Sequence, residues 1–157
     1  MDDLAIRLGV QELIGAYAET IDEDRLEEWP DLFADPCRYL VISRSNHEAG
    51  MRQGVMYAAS RGMMLDRVFS IRRANLFEPH RYRHVIGPIR LKGMDGAIAR
   101  VQSHFIVVRI MGDGATSLFA TGRYLDRIDT SGSAYRFQER LVVLDSDKID
   151  TLLALPL

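Results

Sequence analysis

Histidine is the side chain whose charge changes nearest neutral pH, and this chain carries four of them. His104 lies on the polar phase of an alternating run that begins at Ala97. Joined by Asp35 or Asp24 from the helical part, it could pass a proton to and from a small hydroxy or carbonyl compound, as a dehydratase or isomerase does. His84 with an aspartate is the other version of that pair. The plainer reading makes His104 a satisfied polar residue beneath a subunit contact. His80 and His84 are spaced to aim two ligands at one metal only if they share a helix. Pro79 before them and a strand-like pattern after them argue against that helix. They read as surface or sheet-edge histidines, and no metal site is predicted.

Glu139 interrupts the apolar phase of the last alternating run, and a carboxylate buried there needs a cationic partner. Arg109, Arg123 and Arg140 on neighbouring segments are the candidates, and a structural ion pair is favoured over a catalytic acid. The single cysteine, Cys37, cannot form an internal disulfide and has only Arg38 as a basic neighbour, so it reads as a small core residue. One cysteine also excludes a Rieske centre within the chain, which takes two cysteines and two histidines. No phosphate-binding glycine loop follows a strand and no Gly-x-Ser-x-Gly elbow appears. A cofactor held by this polypeptide alone is not expected.

The elements that position these residues follow from periodicity. Val10, Leu13, Ile14, Tyr17 and Ile21 make one apolar stripe on a helix over residues 4–21. Asp22 is placed to cap a second segment carrying Leu26, Trp29, Leu32 and Phe33, kinked by Pro30 and ended by the turn Ala34-Asp35-Pro36. Residues 37–43 read as a strand and 44–50 as a polar loop, and a helix over 58–72 follows with Met64, Val68 and Ile71 as its stripe. One strand is expected at 84–91, interrupted by Gly87-Pro88. The last third, 97–145, reads as three long strands, with glycine turns at 93–96, 112–114 and 131–133 and a bulge at Gly122.

Helices first and sheet last is an α+β order, and a chain of 157 residues without a linker is expected to form one domain over 1–157. Helices set in the concavity of a strongly curved mixed or antiparallel sheet resemble the cone-shaped fold of nuclear transport factor 2, ketosteroid isomerase and scytalone dehydratase. With 47% hydrophobic and 27% charged residues and a net charge of -2, the chain shows no basic footprint for nucleic acid or an anionic membrane. No apolar stretch approaches the ~20 residues of a spanning helix. The start, Met1-Asp2-Asp3, has no basic and apolar leader, so a cytoplasmic location is expected.

Four stretches resemble the small, or β, subunit of Rieske-type aromatic-ring-hydroxylating dioxygenases. They are Tyr17-Ala18-Glu19-Thr20-Ile21-Asp22 with Glu28-Trp29 and Leu32-Phe33; Cys37-Arg38-Tyr39 leading to Asn46-His47; Met64-Leu65-Asp66-Arg67 running through Arg72 to Arg81-Tyr82-Arg83-His84; and Gln138-Glu139-Arg140 with Leu144-Asp145-Ser146 and the ending 150–157. The block at 81–84 and the ending look closest to small subunits of terephthalate-type oxygenases, with anthranilate and salicylate oxygenases near them. Ile86-Gly87-Pro88 departs from the family's usual sequence after the histidine.

The resemblance implies a homotrimer of small subunits within a hexamer of three large and three small subunits. The Rieske [2Fe-2S] cluster and the mononuclear iron would then belong to the large subunit, and this chain would contribute shape and assembly rather than catalysis. Arg72, Arg81, Arg83 and His84 are then expected at interfaces, where arginine's planar donors suit partly desolvated contacts. Asp66 is expected to pair within the chain with Arg72 or Arg73. Two other readings stay open: a free-standing cone enzyme using His104 or His84 with Asp35, and a binder of small apolar ligands.

Overall fold

The computed structural model describes residues 2–73, 78–149 and 153–157. Helix α1 (Asp3–Asp22) buries the expected stripe together with Ile6. Asp2 caps it by accepting the Leu4 N–H at 3.0 Å. The chain leaves the helix through Asp24 at φ 59°, a left-handed conformation that a short polar side chain tolerates. A 3₁₀ segment (Leu26–Leu32) then buries Leu26, Trp29 and Pro30, so the break foreseen at the proline is a whole stretch of tighter winding.

Strand β1 (Phe33–Ser43) begins earlier than the periodicity suggested. The turn expected at Ala34-Asp35-Pro36 is an irregularity inside the strand, where its pairing shifts between Phe33 and Arg38. Pro36 has no N–H to offer the ladder there. The polar loop contains a short helix α2 (Arg44–Glu48), capped by Ser43 Oγ, which accepts the Asn46 N–H. Strand β2 (Met56–Ala58) and helix α3 (Arg61–Arg73) follow, the helix burying Met64 and Val68. The strand expected at 84–91 is two, β3 (His80–Ile86) and β4 (Arg90–Asp95), both antiparallel to β5 (Ile98–Met111) and parted by the Gly87-Pro88 break. His80 therefore sits on β3, a strand at the end of the sheet order, in keeping with the sheet-edge reading.

With β6 (Thr116–Asp129) and β7 (Arg136–Leu144), the strands form one sheet in the order β2-β1-β7-β6-β5-β3, with β4 also on β5. The β1–β7 pair is parallel and the others are antiparallel, so the sheet is mixed. Register slips between its long strands bend it. The β5–β6 slip, between Val107 and Val108, leaves Phe119 as the extra residue, and the β6–β7 slip, between Arg127 and Ile128, leaves Gln138. Gly122, expected at a bulge, lies in regular register with Phe105. Its glycine is required by close approach, since a Cβ would stand 2.1 Å from the Val143 carbonyl oxygen.

The slip at Gln138 changes the chemistry of the interior. Beyond it the phase of β7 reverses, so Leu141 and Val143 pack with Leu40 and Ile42 in a second apolar cluster. Arg140, which simple alternation places on the wet face, is fully buried. Helix α1, the 3₁₀ segment and α3 fill the concave side, where Tyr17, Trp29, Phe33, Tyr39 and Phe137 share the main core. The last residues enter that core as well: Leu153, Leu155 and Leu157 are buried in it. The architecture is the α+β cone that the order of elements suggested. Residues 74–77 of the arginine-rich connection and 150–152 of the terminal block lie outside the described residues. Among the described residues no helix is long and apolar enough to cross a membrane.

Candidate functional site

The last residue of α1 and the middle of β3 meet inside the cone. Asp22 Oδ1 lies 2.6 Å from His84 Nδ1, and Asp22 Oδ2 accepts the His84 backbone N–H at 2.9 Å. Both side chains are buried, at 0% exposure for His84 and 3% for Asp22. The aspartate expected to cap the second segment instead orients an imidazole, the geometry that elsewhere prepares a general base. His84 Nε2 is buried and makes no hydrogen bond among the described residues.

His104 is exposed on the outer phase of β5, opposite Arg123 of β6, and Asp35 is exposed on β1. No hydrogen bond or ion pair joins His104 to Asp35 or Asp24 among the described residues, so the expected pair is not assembled. Asp24 serves the exit turn of α1 and holds Arg72. His80 Nδ1 contacts the Glu78 carbonyl oxygen at 2.8 Å, and Tyr82 lies between His80 and His84 along β3. Among the described residues no group of three or more His, Cys, Asp or Glu side chains is placed to hold a metal ion.

Deeper in the cone, Arg140 Nε and Nη2 each donate to the Asp126 carboxylate at 2.8 Å. The guanidinium carbon lies 4.2, 3.8 and 4.3 Å from the ring centres of Tyr17, Tyr124 and Phe137. Burial alone would lower Arg140's pKa, but the charge and hydrogen bonds of Asp126 raise it, with smaller electrostatic contributions from Tyr17 and Tyr124, so the guanidinium keeps its proton. Burial pushes the Asp126 carboxyl up, with Arg140 opposing.

Above this pair, Tyr17 and Tyr39 both donate from their hydroxyls to the Leu157 main-chain oxygen, and Leu157 N–H donates to Tyr39 Oη at 3.0 Å. Burial pushes the Tyr17 hydroxyl up to about 12 and those of Tyr39 and Tyr124 well above the ordinary phenol range. The concavity in which a cone enzyme would hold substrate is here occupied by residues 153–157 of the same chain.

The residues expected at interfaces divide into two sets. Arg72 is committed within the chain, donating to both Glu27 carboxylate oxygens, to Asp24 Oδ1 and to the Asp24 carbonyl oxygen at 2.7–3.0 Å. That corrects the expected pairing with Asp66, which is exposed and forms no ion pair among the described residues. Arg73 stacks on Phe69, 3.9 Å from the ring centre. Glu139, turned outward beside the slip, pairs with Arg38 at 3.2 Å rather than with Arg109, Arg123 or Arg140.

Arg83 is 61% exposed, with Glu23 and Asp22 only at 3.7 and 3.9 Å, and Arg81 is exposed. Large apolar side chains also face outward: Met63, Leu65 and Phe69 on α3, and Val85, Ile106 and Leu118 on the sheet. Sequence reasoning missed Asp126 and Ser103. Asp126 had a readable signal, a lone charge in the apolar phase between Tyr124 and Ile128.

Comparison with known proteins agrees with this arrangement. The model of the family described as "Ring hydroxylating beta subunit" matches residues 16–151. The chain is 44% identical over 142 residues to subunit beta 2 of the terminal oxygenase component of terephthalate 1,2-dioxygenase from Comamonas sp., covering 90% of this chain and 92% of that one. It is 28% identical over 156 residues to the small subunit of anthranilate 1,2-dioxygenase from Burkholderia cepacia, covering 99% and 97%. A crystal structure of the beta subunit assigned to an aromatic-ring-hydroxylating dioxygenase of Novosphingobium aromaticivorans superposes with a TM-score of 0.90 at 38% identity, covering 98% of each chain. The chain belongs to the beta-subunit family of the aromatic-ring-hydroxylating dioxygenases.

Proposed function

We propose that this chain is the non-catalytic small subunit of a cytoplasmic oxygenase that hydroxylates an aromatic carboxylate, and that its task is to trimerise and stabilise the assembly. The observation that carries the reading is the 44% identity to a terephthalate dioxygenase beta subunit over 92% of that subunit's length. In this reading the partner is a large subunit that holds the Rieske cluster and the mononuclear iron, and three copies of each form a hexamer. A single cysteine leaves this chain unable to ligate such a cluster alone. The interior supports a structural role, since its charges are mutually paired and its concavity holds the chain's own last residues.

The surface is the part left to act. Arg81 and Arg83, beside the outward Val85 on β3, combine exposed guanidinium groups with apolar area, a composition suited to a subunit boundary. Native mass spectrometry of the chain co-expressed with a large subunit tests the stoichiometry. The expected particle holds three copies of each, and a one-to-one pair as the largest species would contradict it.

A further inference from the structure

The centre of the cone holds polar side chains that the assembly role leaves unexplained. His84 Nε2, Tyr124 Oη, Ser103 Oγ and Arg140 Nη1 are all buried and make no hydrogen bond among the described residues. They are gathered rather than scattered. The Tyr17 ring lies 6.3 Å from the His84 ring, 6.1 Å from that of Tyr124 and 4.2 Å from the Arg140 guanidinium carbon. Ser103 faces Tyr124 across the β5–β6 ladder, both on the inward phase. Ser103, Tyr124 and Arg140 are 0% exposed, as is the His84 side chain.

Their donor and acceptor characters define what would satisfy them. The Asp22 carboxylate takes the hydrogen bond at Nδ1, and in the tautomer that this contact selects, with the proton on Nδ1, the open Nε2 is an acceptor. Arg140 has spent Nε and Nη2 on Asp126, and Nη1 can only donate. The two hydroxyls can do either. Buried polar atoms are almost always satisfied, and such a group set about one ring marks a place where a partner belongs.

We propose that these four atoms form one polar site inside the cone, which binds a small protic molecule that gives an O–H to His84 Nε2 and accepts a hydrogen bond from Arg140 Nη1. Water meets that requirement, and it is the occupant that fits, because Phe105 and Tyr124 already stack on each other at 4.4 Å and leave no room for a further ring. The site is independent of the subunit role and does not depend on any partner.

The test uses the full chain. Imidazole ¹⁵N spectra of the wild type are expected to place His84 Nε2 at the position of a hydrogen-bonded, unprotonated ring nitrogen, and a crystal structure should show ordered density within hydrogen-bond distance of it. Single-atom density there identifies resident water, and Tyr124→Phe, which removes one hydroxyl of the site, is expected to shift the His84 signal. A His84 Nε2 signal typical of a nitrogen without a hydrogen bond, together with no density near it, would overturn the proposal. Ser103→Ala, a change of one atom, serves as the second variant should Tyr124→Phe fail to fold.

Discussion

Arg140 grips Asp126 through two hydrogen bonds of 2.8 Å, with neither side chain exposed to solvent. Removing one partner strands the other charge in the core. Arg140→Met or Asp126→Leu alone is expected to lower stability by about 3–5 kcal/mol, whereas the double variant recovers most of the loss, because an apolar pair of similar volume needs no desolvated charge. Urea unfolding of the three variants measures this. Additive losses in the double variant would show that the two side chains act separately.

Tyr39 accepts the Leu157 N–H and donates to the Leu157 oxygen, tying the last described residues into the cone. Tyr39→Phe leaves those main-chain groups without it and should cost about 1–3 kcal/mol. Amide exchange at 153–157 should accelerate while that of β5 and β6 stays slow. Tyr57→Phe, at an exposed position, should change stability by less than about 0.5 kcal/mol.

Alkali should act through the same hydroxyls. Tyr17 is held up to about 12 by burial, against 10.0 for a free phenol, and Tyr39 and Tyr124 are raised for the same reason. A raised folded pKa means that the neutral form is the one the fold prefers. Its contribution is complete below pH 10 and is lost as pH rises through 12. Phenolate absorbance of these three tyrosines should therefore rise together with loss of structure. Full tyrosinate absorbance in a protein whose circular dichroism is still native would contradict this.

Much of the fold could be read from the chain, and the exceptions have identifiable causes. The stripe of α1 and the alternation in β5 are strong periodic signals, and the glycine turns gave the meander. Simple alternation puts Arg140 on the wrong face because one extra residue, Gln138, reverses the phase of the strand, and a slip of one is invisible to a count of alternation. Asp22 was read as a cap because local spacing cannot reveal a partner on β3, far along the chain. For the same reason Arg72 was matched to Asp66, close in sequence, while its ligands Asp24 and Glu27 are brought to it by packing. Asp35 and His104 looked like chemistry by residue type alone, and both are exposed.

Arg72 and Arg83 should respond differently to substitution. Arg72→Ala breaks an intrachain clamp to Glu27 and Asp24, partly open to solvent, and should lower monomer stability by roughly 1 kcal/mol. Arg83→Glu should change monomer melting less than it reduces oligomer formation, read by elution volume and sedimentation. An unaltered oligomer in Arg83→Glu would remove Arg83 from the interface.

The central claim is that this chain shapes an oxygenase whose metal chemistry lies in another subunit. Affinity capture of the tagged chain from cells that also express a large subunit, followed by iron analysis and visible spectroscopy of the separated subunits, tests it most directly. The account predicts tight co-purification with all iron and cluster absorbance on the partner. Stoichiometric iron on this chain alone, or its purification free of the large subunit, would contradict it.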